Sequence, residues 1–147
     1  MKISMGCDHG GLLLKNAIKA HLLEQGHEVV DFGTNSTDSC DYPDFAIPAA
    51  RAVASGECER GILVCTTGIG ISITANKVNG IRCALLSDTV SAKLCRNHNN
   101  TNMMALGQGI VGEKLALQIV DTWLHAEFEG GRHQRRIDKM MAVEKNP

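Results

Sequence analysis

The sequence predicts an α/β fold: one domain over residues 1–147, with a five-stranded parallel sheet flanked by helices. Three observations carry this expectation. Short apolar runs alternate with helix-length stretches along the chain, with no repeat, linker or low-complexity segment between them. Gly61–Cys65, reading Gly-Ile-Leu-Val-Cys, is a continuous apolar run of the kind found in parallel strands covered on both faces. Glycines at 26 and 56 fall where two of the helical stretches would stop.

The elements follow in order. Lys2–Gly6 reads as a first strand, ending at Cys7-Asp8-His9-Gly10-Gly11. Leu12–Gln25 has apolar residues at helical spacing, with Leu13, Ala17, Ala20 and Leu23 on the expected inner face. Glu28–Phe32 is a second strand, and after a polar loop Pro43–Ser55 is an alanine-rich helix. The strand Gly61–Cys65 leads into a helix over about Gly70–Val78. Ile81–Leu86 and Asn102–Leu106 are the fourth and fifth strands, with a helix over Thr89–Asn97 between them. Val111–Phe128 is a long amphipathic helix with Leu115, Ile119, Trp123 and Ala126 inward, and Arg132 to about Val143 is the last. Right-handed crossovers between such strands give a doubly wound, Rossmann-like sheet, for which 2-1-3-4-5 is the favoured strand order and the two standard alternatives stay open.

Composition narrows the function. Hydrophobic residues make up 44% and charged residues 21%, with a net charge of −1, so bulk electrostatics favour neither nucleic acid nor an anionic membrane. Aromatics at 3% argue against base-stacking platforms. The opening Met1-Lys2-Ile3-Ser4-Met5-Gly6-Cys7-Asp8 is not that of a signal peptide, and no apolar run approaches the roughly 20 residues of a membrane span. A cytoplasmic protein is expected. Its six cysteines, at 7, 40, 58, 65, 83 and 95, contain no C-x-x-C pair and read mostly as buried thiols of a reducing compartment.

In a doubly wound sheet, ligands bind at the carboxyl ends of the strands where the winding reverses, here between strands 1 and 3. The residues leaving those strands are Asp8-His9-Gly10 and Cys65-Thr66-Thr67-Gly68-Ile69-Gly70. In the second loop, Gly68 and Gly70 allow a tight turn into a helix whose amides and positive end favour a thiolate or an oxyanion. The loop is not a phosphatase loop, because Ile71 stands where arginine is needed. Nor is it a P-loop or a dinucleotide fingerprint, since Ile73 replaces the third glycine. It suits a phosphate or an enediolate oxygen. The competing reading is a buried cysteine in a loop that merely turns.

Asp8 and His9 point into the same crevice. His98 and Asn99 also combine proton-transfer and hydrogen-bonding groups, although a helix C-cap accounts for them equally well. His98 ends a helix and so belongs at the amino ends of the strands; if catalytic, it serves a neighbouring subunit. Arg132 and Arg136 share a face of the last helix at i, i+4 and oppose its dipole, which a phosphate dianion would offset. A solvated basic face is the alternative. His21, His27 and His125 look structural. Cys7-x-His9 is the tightest ligand pair and lacks companions, so no metal is expected.

With these residues in place, the chain resembles the type B ribose-5-phosphate isomerases and their galactose-6-phosphate isomerase relatives. The likeness rests on Gly6–Gly11, on Asp41-Tyr42-Pro43, on Cys65–Lys77, on Arg96-Asn97-His98-Asn99 and Asn102, and on Glu129-Gly130-Gly131-Arg132-His133. It implies a metal-independent interconversion of ribose 5-phosphate and ribulose 5-phosphate, without cofactor, in a homodimer or tetramer with composite sites. The last helix, about 132–143, would pack at the subunit interface. By the resemblance, Cys65 moves the proton between C2 and C1, and His98 assists ring opening. Thr67 and the amides of Thr66, Gly68, Ile69 and Gly70 hold the enediolate, and Asp8 handles hydroxyl protons. His9, Arg132 and Arg136 meet the phosphate, and Tyr42 and Asn99 the sugar.

Two departures from that family pattern bear on substrate. Thr66 follows the cysteine where glycine is usual, and Gly109 stands in a stretch that commonly holds an arginine. Weakened phosphate binding, with some acceptance of free aldoses such as allose, is the expectation they raise. The rivals are an isomerase of galactose 6-phosphate or allose 6-phosphate, a non-catalytic sugar-phosphate-binding protein, and a thiol redox protein. The last is disfavoured because no resolving cysteine lies near Cys65 in sequence.

Overall fold

The structure is a computed structural model describing all residues, Met1–Pro147. Five strands, β1 (Lys2–Cys7), β2 (Glu28–Asp31), β3 (Arg60–Cys65), β4 (Cys83–Leu85) and β5 (Met103–Gly107), form one sheet. All four pairings are parallel. The helices are α1 (Leu12–Glu24), α2 (Tyr42–Ala54), α3 (Ile69–Asn76), α4 (Thr89–Asn99), α5 (Glu113–His125) and α6 (Arg132–Met141). A 3-10 turn, His9–Gly11, joins β1 to α1. No helix is long and apolar enough to cross a membrane.

The strand order is β2-β1-β3-β5-β4, which corrects the expected 2-1-3-4-5. Burial explains the exchange. Every residue of β5, Met-Met-Ala-Leu-Gly, is buried, whereas the three residues of β4 are partly or fully exposed. A strand apolar on both faces belongs inside a parallel sheet, and a short, half-exposed strand belongs at its edge. The reversal between β1 and β3 is unaffected.

Alternate residues of the central strands feed two cores, one on each face of the sheet. Ile62, Val64, Met104 and Leu106 pack with α1 and α5, around Leu14, Ile18, Ile119 and the fully buried Trp123. Leu63, Cys65, Met103 and Ala105 pack with α2 and α3. The small alanines of α2 let that helix sit close to the sheet: a Cβ at Gly6 would come within 2.9 Å of both Leu63 and the Phe45 carbonyl. Each large apolar side chain so buried contributes about 1.5–3 kcal/mol.

The inner face of α1 differs from expectation. Leu13 and Leu23 are 70% and 51% exposed, and the buried face is Leu12, Leu14, Lys15, Ile18 and Leu22. The cause is Lys15, which is wholly buried because its ammonium meets the Asp31 carboxylate at 2.7 Å and the Thr34 carbonyl at 3.3 Å. A lysine on the core side hides the true stripe from a periodicity argument. In α5 Ile119 and Trp123 are inward as expected, but Leu115 is exposed. That helix stops at His125, where Ala126 turns extended, rather than at Phe128. The last helix ends at Met141 and continues as a 3-10 turn, Ala142–Glu144.

Candidate active site

Cys65 is the last residue of β3, beside Gly107 of β5, and only 5% exposed. The chain then turns through Gly68, whose φ of 78° is left-handed and whose Cβ position would collide with Leu85 and Leu106. Both backbone shape and space demand glycine there. The turn aims the Gly68 N–H at the Cys65 sulfur, 3.1 Å away. An amide donor at the start of α3 stabilises negative charge on that sulfur. Thr66 and Thr67 stand exposed beside it, and the Thr67 hydroxyl accepts the Ile69 N–H at 3.2 Å. The following turn is strapped to the loop: Gln108 N–H and Gly109 N–H donate to the Cys65 and Thr66 carbonyls, each at 2.9 Å.

The facing wall comes from β1 and the start of α2. Asp8 is 6% exposed, and its carboxylate accepts the Gly10 N–H at 2.9 Å, which fixes its orientation at the strand end. His9 Nδ1 accepts the Cys40 N–H at 3.2 Å. A neutral His9 therefore carries its proton on Nε2, free to donate elsewhere. Tyr42 leans on the Cys65 loop so closely that a Cβ at Gly70 would lie 2.6 Å from its ring. An open cavity of about 460 Å³ is lined by Asp8, His9, Cys40, Asp41, Tyr42, Pro43 and Asp44. Asp8, His9 and Tyr42 line this cavity, Thr66 packs at Gly10 beside Asp8, and Tyr42 packs at Gly70, whereas Thr67 and Ile69 line a separate cavity with Leu85, Leu86, Ser87, Gly107 and Ile110.

His98, Asn99, Arg132 and Arg136 lie elsewhere. His98 and Asn99 end α4, which closes at Asn100 in the left-handed region with φ 46°. The chain then enters β5 beside the start of β3, where Gly61 N–H donates to the Asn102 carbonyl at 3.0 Å. The six residues of β3 separate that end from Cys65 by about 16 Å. Here the His98 ring stacks on His133, with centroids 4.4 Å apart and planes inclined by 15°. The Glu129 carboxylate lies 3.5 Å from His133 Nε2 and 3.9 Å from His98 Nε2. The stacking brings the start of α6, with its exposed Arg132 and Arg136, up to His98.

Arginines brace this second patch. Arg82 donates to the Asn99 and Asn100 carbonyls at 2.8–3.2 Å, and Arg96 donates to Asn100 Oδ1 at 2.8 Å and to the Thr101 carbonyl at 2.6 Å. Cations at a helix C-terminus complement its dipole and satisfy its free carbonyls. Burial, then the neighbouring Arg60, lower the Arg96 pKa to about 10. The 127–129 segment is tied on by Asn97, whose amide donates to the Glu127 carbonyl at 2.6 Å and whose own carbonyl accepts the Glu129 N–H at 3.0 Å.

Sequence reasoning assigned no part in the site to Cys40, Glu129 or His133. Cys40 had a usable signal, its place beside Asp41-Tyr42-Pro43. The stacking of His133 on His98 is a contact between distant segments and had none.

Comparison with known proteins shows the family. Residues 3–140 match the family described as Ribose/Galactose Isomerase. Ribose-5-phosphate isomerase B of Escherichia coli (strain K12) is 54% identical over 143 residues, which is 97% of this chain and 96% of that one. The structure of Clostridium thermocellum ribose-5-phosphate isomerase B superposes with a TM-score of 0.98 at 55% identity, covering 99% of each chain. That of ribose-5-phosphate isomerase B from Mycoplasma genitalium with bound ribulose-5-phosphate gives 0.96 at 44%, covering 99% of this chain and 97% of that one. On fold, coverage and identity together, the chain belongs to the ribose/galactose isomerase family.

Proposed function

We propose that the chain interconverts ribose 5-phosphate and ribulose 5-phosphate through an enediolate, with Cys65 as the base. The observation that carries the reading is the Gly68 N–H directed at the Cys65 sulfur, at the end of the strand next to the one that leads into Asp8 and His9. The Cys65 thiolate takes the C2 proton of the open-chain aldose, and the C2–H electron pair becomes the C1–C2 double bond as the carbonyl electrons move to O1. Return of that proton to C1, with loss of the O2 hydroxyl proton, leaves the ketone at C2. Asp8 carries the hydroxyl proton between O2 and O1. Electrons balance within the sugar, so the step calls for no redox partner. Thr67 and the amides from Thr66 to Gly70 offset the enediolate charge.

Ring opening, phosphate binding and part of sugar recognition fall to the second patch. His98 would open the ring, Arg132 and Arg136 would join His9 on the phosphate, and Asn99 would join Tyr42 on the sugar. The roughly 16 Å between the patches means that one chain cannot supply both to one substrate. A homodimer in which the His98 patch of one subunit covers the Cys65 crevice of the other completes the site, with α6 at the interface. Six free cysteines suit a reducing, cytoplasmic setting.

Deuterium exchange from solvent into C2 of ribose 5-phosphate tests the base assignment. Wild type should exchange and Cys65→Ala should not; exchange surviving the substitution would move the base elsewhere. A protein that binds the sugar phosphate without any exchange in the wild type would instead be a binding protein. A six-carbon sugar phosphate is the second reading, because the matching family is described as Ribose/Galactose Isomerase. Comparing kcat/KM for ribose 5-phosphate, galactose 6-phosphate, allose 6-phosphate and free allose decides it.

A further inference from the structure

We propose that Thr66 is a specificity-determining wedge that closes the His9 end of the crevice and sets the length of sugar phosphate the site accepts. The inference rests on the isomerase reading of this crevice. Its evidence is the fit of one side chain between two glycines. A Cβ at Gly10 would collide with Thr66 Oγ1 and stand 3.3 Å from the Thr66 nitrogen and 3.4 Å from Asp8 Oδ1. The Thr66 hydroxyl therefore occupies the space a side chain at 10 would take, beside Asp8 and one residue from His9.

On its other flank, a Cβ at Gly109 would lie 3.1 Å from the Thr66 carbonyl oxygen and 3.4 Å from Thr66 Cγ2. Neither Gly10 nor Gly109 has a positive φ, so backbone conformation does not call for glycine at either place. Volume does. The hydrogen bond from Gly109 N–H to the Thr66 carbonyl at 2.9 Å holds the wedge between the two turns.

The consequence for substrate is geometric. Cys65 marks the C1–C2 end of the sugar and His9 its phosphate end, so the residue lodged between Cys65 and the His9 turn limits the carbons that fit between them. The Asp8 carboxylate is engaged by the Gly10 N–H, whereas the Thr66 hydroxyl is exposed and hydrogen-bonds to no group of the chain. It is free to meet a substrate oxygen there. In the proposed pose, the volume Thr66 fills is the volume a sixth carbon would need.

The test measures kcat/KM for ribose 5-phosphate and allose 6-phosphate in wild type, Thr66→Ser and Thr66→Gly. One carbon's worth of pocket shape discriminates by about 10-fold or more. Thr66→Gly should shift the ratio by that much toward the six-carbon sugar, with Thr66→Ser between. Gly10→Ala should impair wild type on both sugars and do little in the Thr66→Gly background, which reads the wedge independently of substrate. A ratio in Thr66→Gly within about twofold of wild type, or Gly10→Ala equally harmful in both backgrounds, overturns the proposal. A wild type inactive on both sugars would instead overturn the isomerase reading on which it rests.

Discussion

The two ends of the sheet carry the same kinds of functional residue on opposite kinds of support. At the carboxyl ends, Cys65 closes β3 and Asp8 and His9 follow β1, beside turns shaped by small residues, with Gly10 against Thr66, Gly70 against Tyr42 and Gly68 in the left-handed region. At the amino ends, His98 and Asn99 sit on the last turn of a helix whose end is braced by Arg82 on the Asn99 and Asn100 carbonyls and by Arg96 on the Thr101 carbonyl, with the histidine stacked on His133. The first arrangement makes a concave place with amide donors. The second carries a histidine with cations beside it, next to a cavity of about 390 Å³ that Arg82 and Asn99 help to line. In the proposed homodimer, a crevice and a patch that do not meet within one chain would meet across two.

The comparison can be broken at either end. The largest effect is expected from Cys65→Ala, which should lower kcat by about 10³-fold with little change in KM, read in a steady-state assay on ribose 5-phosphate. Next is the scaffold beneath the crevice. Burial alone would push the Asp31 carboxyl up, but hydrogen bonds from Lys15 and Gly33 outweigh it and hold its pKa below the ordinary carboxylate value. Its stabilising contribution is therefore present above pH ~3.9 and lost as pH falls through the lower folded value. Asp31→Asn, which leaves the Lys15 ammonium buried without its anion, should cost about 3 kcal/mol near neutrality by urea denaturation. The deficit should shrink on acidification.

At the other end, His98→Asn should slow kcat by about 10²-fold, and the loss should fall mostly on ring opening. A substrate that cannot cyclise should be spared. Arg136→Ala is the mildest, raising KM for ribose 5-phosphate about 10-fold while leaving kcat within a few-fold. If Arg136→Ala changed kcat alone, the second patch would have a role other than holding phosphate.

Much of this architecture was legible in the sequence because it follows from local patterns. The continuous run of β3 located Cys65 at a strand end, and the reversal beside β1 set Asp8 and His9 opposite it. The place of His98 at the far end followed from its position at the close of a helix. What failed depended on context. The exchange of β4 and β5 turns on relative burial, which a rule about consecutive strands cannot weigh. Helical spacing alone picks the wrong face of α1, because Lys15 is buried only by virtue of Asp31, sixteen residues away. The contacts of Gly10 with Thr66, of His9 with Cys40 and of His98 with His133 join segments distant in sequence and leave no periodic trace.

The central claim is that one chain holds two halves of different sites. Mixing Cys65→Ala and His98→Asn subunits, after denaturation and refolding at equal concentration, tests it most directly. Each variant alone should be nearly inactive. With composite sites, random pairing makes half the dimers mixed, each with one of its two sites intact, so the mixture should regain about one quarter of wild-type activity. A mixture as inactive as its components, with mixed dimers shown to be present, would contradict the account and return His98 to a structural role.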